Sequence, residues 1–218
     1  MKLLLFSDQN HSQLEVRTQL VKLTGKSKPT IGYISSCPDP SRQFYEQTKQ
    51  YYARFEAKLT PCLDLESGFD SNCLELVFQA DAIHLSGGNT YQFFYWILRR
   101  GLRERLYEYA RSDKVIIGVS AGSIIMTPDV SYAELCGDYN HVGLKTLNGL
   151  ALVNFNFVPH AIAEDTITQN ILHKSQQDNS RVVVASDNNW LVVDGSNIQV
   201  YGKPKLIVDG KIVRLQYL

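Results

Sequence analysis

Short apolar runs alternate with longer amphipathic stretches along the first 126 residues, and this alternation most limits the possible folds. Strands are predicted at 2–8, 30–35, 58–65, 81–86 and 114–120. Helices are predicted at 12–23, 43–57, 74–79, 91–111 and 121–126, with an interruption at Gly101. Short buried strands separated by helices indicate a mainly parallel sheet covered by helices on both faces. The sequence therefore predicts an α/β three-layer sandwich.

The pattern changes after Met126. Residues 127–150 are predicted to be rich in loops, a strand is expected at 152–160, and a helix at 164–177 with Asp165 as its cap. Five apolar segments follow from Arg181, and the Asp-Gly pairs at 194–195 and 209–210 are typical of hairpin turns. We therefore expect antiparallel C-terminal strands added to the sheet, within a single domain spanning 1–218.

Composition limits the classes of function. The 22 basic and 22 acidic residues give a formal net charge of zero, which argues against nucleic acid or an anionic membrane as a partner. The four cysteines lack metal-ligand spacing, so no metal site or cofactor is predicted. They are typical of reduced thiols, and no apolar run reaches membrane-spanning length, so a cytoplasmic location is expected. The assembly state is open, and a homodimer is one of the possibilities.

The segment Gly-Val-Ser-Ala-Gly-Ser at 118–123 follows a predicted strand and precedes a predicted helix. A serine between two glycines in this context is typical of a nucleophile turn, although a turn of small residues without chemistry gives the same pattern. Gly87 and Gly88 follow the neighbouring strand. The N–H groups of Gly88 and Ala121 are candidates for stabilising an oxyanion beside Ser120.

A serine nucleophile needs a base and an acid that orients the base. His160 ends a predicted strand and is the preferred base, whereas His84 is interpreted as a core residue. Asp187 follows the 181–185 segment and is the preferred acid, with Glu134 and Asp129 as the alternatives. Asn89 and His11 are candidate substrate-binding residues because both follow predicted strands.

Four segments together resemble the peptidase E family, the aspartyl dipeptidase and cyanophycinase-like group of serine peptidases. They are GGNTYQFF at 87–94, IGVSAGSIIMTPDV at 117–130, FVPHAI at 157–162 and SDNNWLVV at 186–193. The resemblance implies a flavodoxin-like or class I glutamine-amidotransferase-like fold. It also implies a triad in the order Ser120, His160, Asp187, acting through an acyl-enzyme on short peptides.

The sequence departs from the family pattern at three places. Asp187 stands where the family often has Glu, and Ala161 where an aromatic residue often follows the histidine. Ser131 falls where aspartyl dipeptidases carry an arginine, which puts Asp-X specificity in doubt unless Lys145 or another cation replaces it. Two other functions therefore stay open, namely an esterase using the same triad and a catalytically silent binding module.

Overall fold

The computed structural model describes residues 1–10, 15–161 and 165–218. Its strands are β1 (Lys2–Phe6), β2 (Thr30–Ser35), β3 (Lys58–Asp64), β4 (Ala82–Leu85), β5 (Val115–Val119), β6 (Asn156–Val158), β7 (Arg181–Val184), β8 (Trp190–Asp194), β9 (Asn197–Tyr201), β10 (Lys205–Val208) and β11 (Lys211–Val213). Its α-helices are α1 (Val16–Thr24), α2 (Gln43–Ala53), α3 (Ser71–Gln79), α4 (Thr90–Arg99), α5 (Leu102–Arg111), α6 (Ala121–Ile125) and α7 (Asp165–Gln177). Two 3-10 helices cover Val130–Cys136 and Leu215–Tyr217.

Seven strands form the main sheet in the order β3-β2-β4-β5-β1-β8-β9. The first five strands along the chain pair in parallel, whereas β8 runs antiparallel to β1 and forms a hairpin with β9. The predicted three-layer α/β sandwich with a mainly parallel sheet is therefore confirmed. Both Asp-Gly pairs lie at two-residue hairpin turns, as predicted.

The expectation that all C-terminal strands join this sheet is wrong. A second sheet has the order β11-β10-β7-β6, and only β8 and β9 extend the main sheet. In this second sheet β6 and β7 are parallel, and β10 pairs antiparallel with β7 and β11. The apolar pattern of these strands predicts burial, but it carries no information about which sheet each strand joins.

Alternate residues of β1 explain why the main sheet needs cover on both faces. Leu3 and Leu5 belong to one buried cluster and Leu4 and Phe6 to another, and all four are fully buried. Helices α1 and α2 contribute to the second cluster, and α3, α4, α5 and α6 to the first.

The second sheet packs onto the α6 side of the main sheet. Phe157 of β6 and Val183 of β7 point into the same cluster as Leu3 and Leu5. Their neighbours Val158 and Val182 face the opposite way and pack with Ile171 of α7. The second sheet thus lies between the main core and α7, and its strand ends come to the carboxyl edge of β1 and β5.

The second helix is shorter than predicted, and the interruption at Gly101 is present. Helix α2 ends at Ala53 rather than 57, and the chain then turns through Glu56, whose φ is 59°. The predicted interruption at Gly101 is confirmed, because Gly101 has a φ of 66° and separates α4 from α5. The start predicted for the first helix falls on residues 11–14, outside the described residues.

Candidate active site

The turn at Ser120 connects β5 to α6 and has a strained backbone. Ser120 has φ 50° and ψ −110°, a conformation that costs on the order of 1–3 kcal/mol for a residue with a side chain. Its N–H donates to the carbonyl of Phe6 in β1 at 2.9 Å. The hydroxyl of Ser123 lies 2.8 Å from the carbonyl of Gly118 in β5 and 2.9 Å from that of Phe6 in β1, so it connects the start of α6 to both strands.

The glycines on either side of Ser120 are required by close contacts. A Cβ at Gly118 would lie 2.6 Å from backbone atoms of Gly122, and one at Gly122 would lie 2.1 Å from the carbonyl oxygen of Leu85. The G-x-S-x-G spacing is therefore the sequence that allows helix α6 to begin directly against β4 and β5. Helix α6 in turn directs the Ser120 side chain outward from the sheet edge.

The two predicted oxyanion donors lie in the loops around Ser120, since Gly88 lines the same cavity as Ser120 and Ala121 directly follows it in the chain. Gly88 has a φ of 137°, and a Cβ there would lie 2.2 Å from the Oγ of Ser36, so this loop also requires glycine. The Ser36 hydroxyl donates to the carbonyl of Gly87 and fixes the plane of the next peptide. In the described part of the chain no acceptor takes the N–H of Gly88 or that of Ala121. Both donors are therefore free to bind an oxyanion.

The imidazole of His160 lies between Ser120 and Asp187. Its Nε2 is 2.8 Å from Ser120 Oγ, and its Nδ1 is 2.7 Å from Asp187 Oδ1. His160 follows β6 and Asp187 follows β7, so the parallel pairing of these two short strands brings both residues to one edge. This geometry meets the distance required for proton transfer from a hydroxyl to an imidazole, with a carboxylate orienting the ring.

Ser7 connects this arrangement to the main sheet. Its hydroxyl oxygen accepts from the N–H of His160 at 2.8 Å, and it lies 3.2 Å from the carbonyl of Ala185 and 3.4 Å from Asp187 Oδ1. Ser7 is fully buried and directly follows β1. It therefore holds the end of β1 against the ends of both strands that lead to His160 and Asp187.

Asp8 adds a second carboxylate near the imidazole. Burial, followed by the nearby Asp187 carboxylate, raises the pKa of Asp8, and the Gln9 N–H opposes this shift. The Asp8 carboxylate therefore lies close enough to both Asp187 and His160 to interact with them electrostatically.

A cavity of about 430 Å³ opens beside Ser120 and His160. Its walls come from the loops after β1, β2 and β4 and from α2. The lining residues are Asp8, Gln9, Tyr33, Ser35, Ser36, Cys37, Phe44, Gln47, Thr48, Tyr51, His84, Ser86, Gly87, Gly88, Val119, Ser120 and His160. The volume is at the lower end of the range for small-molecule sites, about 300–1,000 Å³, which is suitable for one or two amino-acid residues.

His84 is a core residue, as predicted, although one side of it reaches the cavity. It is 2% exposed, its Nδ1 lies 2.9 Å from the hydroxyl of Tyr52, and its ring stacks on Tyr33. Burial lowers the pKa of His84 to about 3, so the ring is neutral at physiological pH. It is therefore part of an uncharged wall.

Of three other predicted residues, Glu134 and Asn89 lie apart from the Ser120–His160–Asp187 arrangement, and the third lies outside the described residues. Glu134 has no hydrogen bond or ion pair with His160 in the described part of the chain, and its carboxylate instead helps to raise the pKa of Tyr91. The Oδ1 of Asn89 caps α4 through Gln92, and Asn89 does not line the cavity. His11 lies outside the described residues.

Lys145, the predicted cationic replacement for substrate binding, does not lie beside Ser120 either. Lys145 lines a separate, shallower cavity of about 280 Å³, together with Tyr95 and Arg99. Ser131 donates its N–H and hydroxyl to the carboxylate of Asp129, each at 2.8 Å, and it does not reach the Ser120 cavity. Neither residue supplies a positive charge beside Ser120.

Sequence reasoning did not identify Ser7, Asp8 or the aromatic wall formed by Tyr33, Phe44 and Tyr51. A signal for the first two was present, because Ser7-Asp8 directly follows a predicted buried strand, where parallel sheets place their sites. The aromatic wall had no such signal, since aromatic residues at helical spacing in α2 predict core packing equally well.

Within the residues that the structure describes, no group of three or more His, Cys, Asp and Glu side chains is arranged to hold a metal ion. None of the described helices combines the length and apolar character needed to cross a membrane.

The fold and the Ser120–His160–Asp187 geometry define the class of a hydrolase with a serine nucleophile on a parallel α/β sheet. The sequence model of Peptidase family S51 matches residues 3–201. Because this match covers most of the chain, the protein belongs to peptidase family S51, and the predicted peptidase E resemblance is confirmed.

Individual relatives agree with this assignment. An uncharacterized peptidase of Pasteurella multocida (strain Pm70) is 28% identical over 99 residues, or 45% of this chain and 48% of the relative. A protein named Peptidase E from Streptomyces coelicolor is 26% identical over 133 residues, or 57% of this chain and 54% of the relative. The chain thus spans about half the length of the curated relatives it matches.

Solved structures show the same fold over nearly the whole chain. A candidate peptidase E protein from Listeria monocytogenes EGD-e has a TM-score of 0.73 at 22% identity, covering 91% of this chain and 96% of that one. A peptidase from an acI-B1 Actinobacterium has a TM-score of 0.64 at 20% identity, covering 96% and 91%. The predicted class I glutamine-amidotransferase-like fold is consistent with these likenesses.

Proposed function

We propose that this protein is a serine peptidase that hydrolyses short peptides through Ser120, His160 and Asp187. The observation that carries the proposal is the continuous chain of contacts from Ser120 Oγ to His160 Nε2 at 2.8 Å and from His160 Nδ1 to Asp187 Oδ1 at 2.7 Å. Family membership supports the same reaction class.

In the proposed reaction His160 removes the proton of Ser120 as its Oγ bonds to the scissile carbonyl carbon. The resulting oxyanion accepts hydrogen bonds from the N–H groups of Gly88 and Ala121. His160 then donates its proton to the leaving amine, and the carbon–nitrogen bond breaks to leave an acyl-serine. A water molecule, deprotonated by His160, releases the acid product and restores Ser120.

The size of the cavity supports a short substrate. It is about 430 Å³ in volume, so the strained Ser120 turn faces a pocket rather than a long open groove. Dipeptides and other small amides fit such a space, whereas an extended segment of a folded protein needs a longer cleft. This is the reason for proposing a peptidase of short peptides.

The first experiment measures hydrolysis of a panel of N-terminally free dipeptides by wild type and Ser120→Ala. We expect the variant to lose about 10³-fold or more in kcat/KM, because it lacks the nucleophile. Labelling of wild type by a fluorophosphonate probe, mapped to Ser120, checks the nucleophile independently. Peptide hydrolysis that persists in Ser120→Ala would refute the proposal.

A second experiment assigns the acid by comparing Asp187→Asn with Glu134→Gln. Asparagine keeps the size of the side chain but favours the wrong imidazole tautomer, so kcat should fall by about 10³–10⁴-fold. Glu134→Gln is the matched control, and we expect it to stay within a fewfold of wild type. The opposite order of effects would assign the role to Glu134 and reject Asp187.

A further inference from the structure

The cavity beside Ser120 has an uncharged aromatic wall. Tyr33, Phe44 and Tyr51 line it together with His84. Burial raises the pKa of both tyrosines and lowers that of His84 to about 3, so all of these side chains are neutral at physiological pH. Phe44 is 60% exposed and lies on the wall without being part of the core, so a ligand side chain can cover it.

No lysine or arginine is among the described residues that line this cavity. On nearby elements, Arg42 lies over the ring of Tyr45 at 5.5 Å and Arg54 over the ring of Tyr51 at 5.9 Å, and neither arginine lines the cavity. An acidic substrate side chain in this space would lose its hydration without gaining a lysine or arginine partner from the described cavity lining.

Asp8 is the carboxylate of the described cavity lining. Asp8 lines the cavity together with Tyr51 of the aromatic wall and with His160, and its carboxylate interacts electrostatically with both. A carboxylate in this position attracts an ammonium group of a substrate and repels a second carboxylate. Such charge-assisted hydrogen bonds are about twice as strong as neutral ones.

We propose that this cavity binds the N-terminal residue of a peptide with a free α-ammonium group at Asp8 and a neutral, preferably aromatic, side chain against Tyr33, Phe44 and Tyr51. The inference rests on the proposed function for the site of cleavage, and it names the class of substrate. It separates this protein from a dipeptidase selective for N-terminal aspartate, because the described lining of the cavity includes the carboxylate of Asp8 and no lysine or arginine.

The substrate test compares kcat/KM for Phe-Ala, Asp-Ala and N-acetyl-Phe-Ala. We expect Phe-Ala to exceed Asp-Ala by about 100-fold, since an aspartate would bury an unpaired charge beside Asp8. Acetylation removes the ammonium group and should cost roughly 10- to 100-fold. Preference for Asp-Ala, or equal rates for the acetylated and free peptides, would overturn the inference.

The variant test uses the ratio of kcat/KM for Phe-Ala to that for N-acetyl-Phe-Ala. Asp8→Asn should reduce this ratio about tenfold or more. Any effect of Asp8 on His160 changes the rates for both peptides equally, so it cancels in the ratio. Glu46→Gln changes a half-buried carboxylate of α2 that pairs with Lys49 and does not line the cavity, so it is the matched control and should leave the ratio unchanged. An unchanged ratio in Asp8→Asn would assign the ammonium group to another partner.

A second variant tests the aromatic wall without endangering the fold. Because Phe44 is largely exposed, Phe44→Ala should fold normally, and it should reduce the Phe-Ala to Ala-Ala preference by about 3- to 10-fold. A preference equal to that of wild type would show that the substrate side chain lies elsewhere.

Binding measurements separate failure of the inference from failure of the proposed function. Calorimetry on Ser120→Ala with Phe-Ala, Asp-Ala and N-acetyl-Lys-Ala needs no catalysis. One outcome is that the wild type hydrolyses no peptide while Phe-Ala still binds and Asp8→Asn weakens that binding. This result would reject the proposed peptidase function and keep the assignment of the cavity. Binding of N-acetyl-Lys-Ala as tight as that of Phe-Ala would place a side-chain ammonium at Asp8 and reject the α-ammonium.

Discussion

The buried imidazole of His84 makes the stability of this protein dependent on acid in a calculable way. Its pKa is about 3 in the folded protein, against 6.5 for an ordinary histidine, and burial is the cause. Below pH 6.5 the unfolded chain takes up a proton that the folded chain does not. Stability therefore falls as the pH is lowered from about 6.5 towards 3.

The magnitude follows from the two pKa values. Proton linkage at a single site gives a loss of about 2 kcal/mol in the free energy of unfolding between pH 7.5 and pH 5. For a chain of this length, that corresponds to a fall of about 4–8 °C in the unfolding temperature. The effect is a substantial fraction of the total stability of an ordinary domain, about 5–15 kcal/mol.

The assay is urea unfolding at pH 7.5 and pH 5 for wild type, His84→Asn and His173→Asn. Asparagine retains a polar group near the hydroxyl of Tyr52 but does not titrate. The loss of unfolding free energy between the two pH values should therefore be about 2 kcal/mol smaller in His84→Asn than in wild type. His173 is exposed on α7 and serves as the matched control, which should behave like wild type. An equal pH dependence of the unfolding free energy in wild type and His84→Asn would refute the assignment of this effect to His84.

Three further predictions concern the frame of the site. Gly122→Ala should destabilise the fold by about 3 kcal/mol in urea unfolding, and slow the fluorophosphonate labelling of Ser120, because the new Cβ would lie 2.1 Å from the carbonyl oxygen of Leu85. Trp190→Ala should cost about 3–5 kcal/mol of unfolding free energy, since its buried ring stacks between two aromatic rings; a loss below about 1 kcal/mol would contradict this. Asp138→Ala removes the acceptor for the N–H of Thr90 and should cost about 1 kcal/mol and lower kcat/KM, whereas Asp138→Asn should restore much of both.

The sequence predicted the main sheet well because its strands are buried on both faces. The centres of these strands, such as 31–34 and 115–119, contain no charged or hydroxyl side chain apart from Tyr33, which is typical of strands in a parallel sheet covered on both faces. The separate second sheet was not predictable in the same way. Its segments, including 181–184 and 205–208, are equally apolar, and their pairing depends on contacts distant in sequence.

The candidate site was predictable where a motif records a steric requirement. Around Ser120, the glycines at 118 and 122 are required by contacts of 2.6 Å or less, so the pattern itself carries the geometry. Ser7 and Asp8 have no comparable local requirement. Their position beside His160 follows from the packing of β1 against the ends of β6 and β7, which a single sequence does not encode as a motif.

The division of the proposed triad between two sheets has a mechanical consequence. Ser120 stands on the main sheet, His160 and Asp187 stand on the smaller one, and the Ser7 hydroxyl links the two. Misplacement of reacting groups by about 1 Å costs on the order of 100-fold in rate. A relative movement of the two sheets would therefore abolish catalysis while both sheets remain folded. Enzyme activity thus reports the alignment of the two sheets, and in rising urea it should vanish before the tryptophan fluorescence changes.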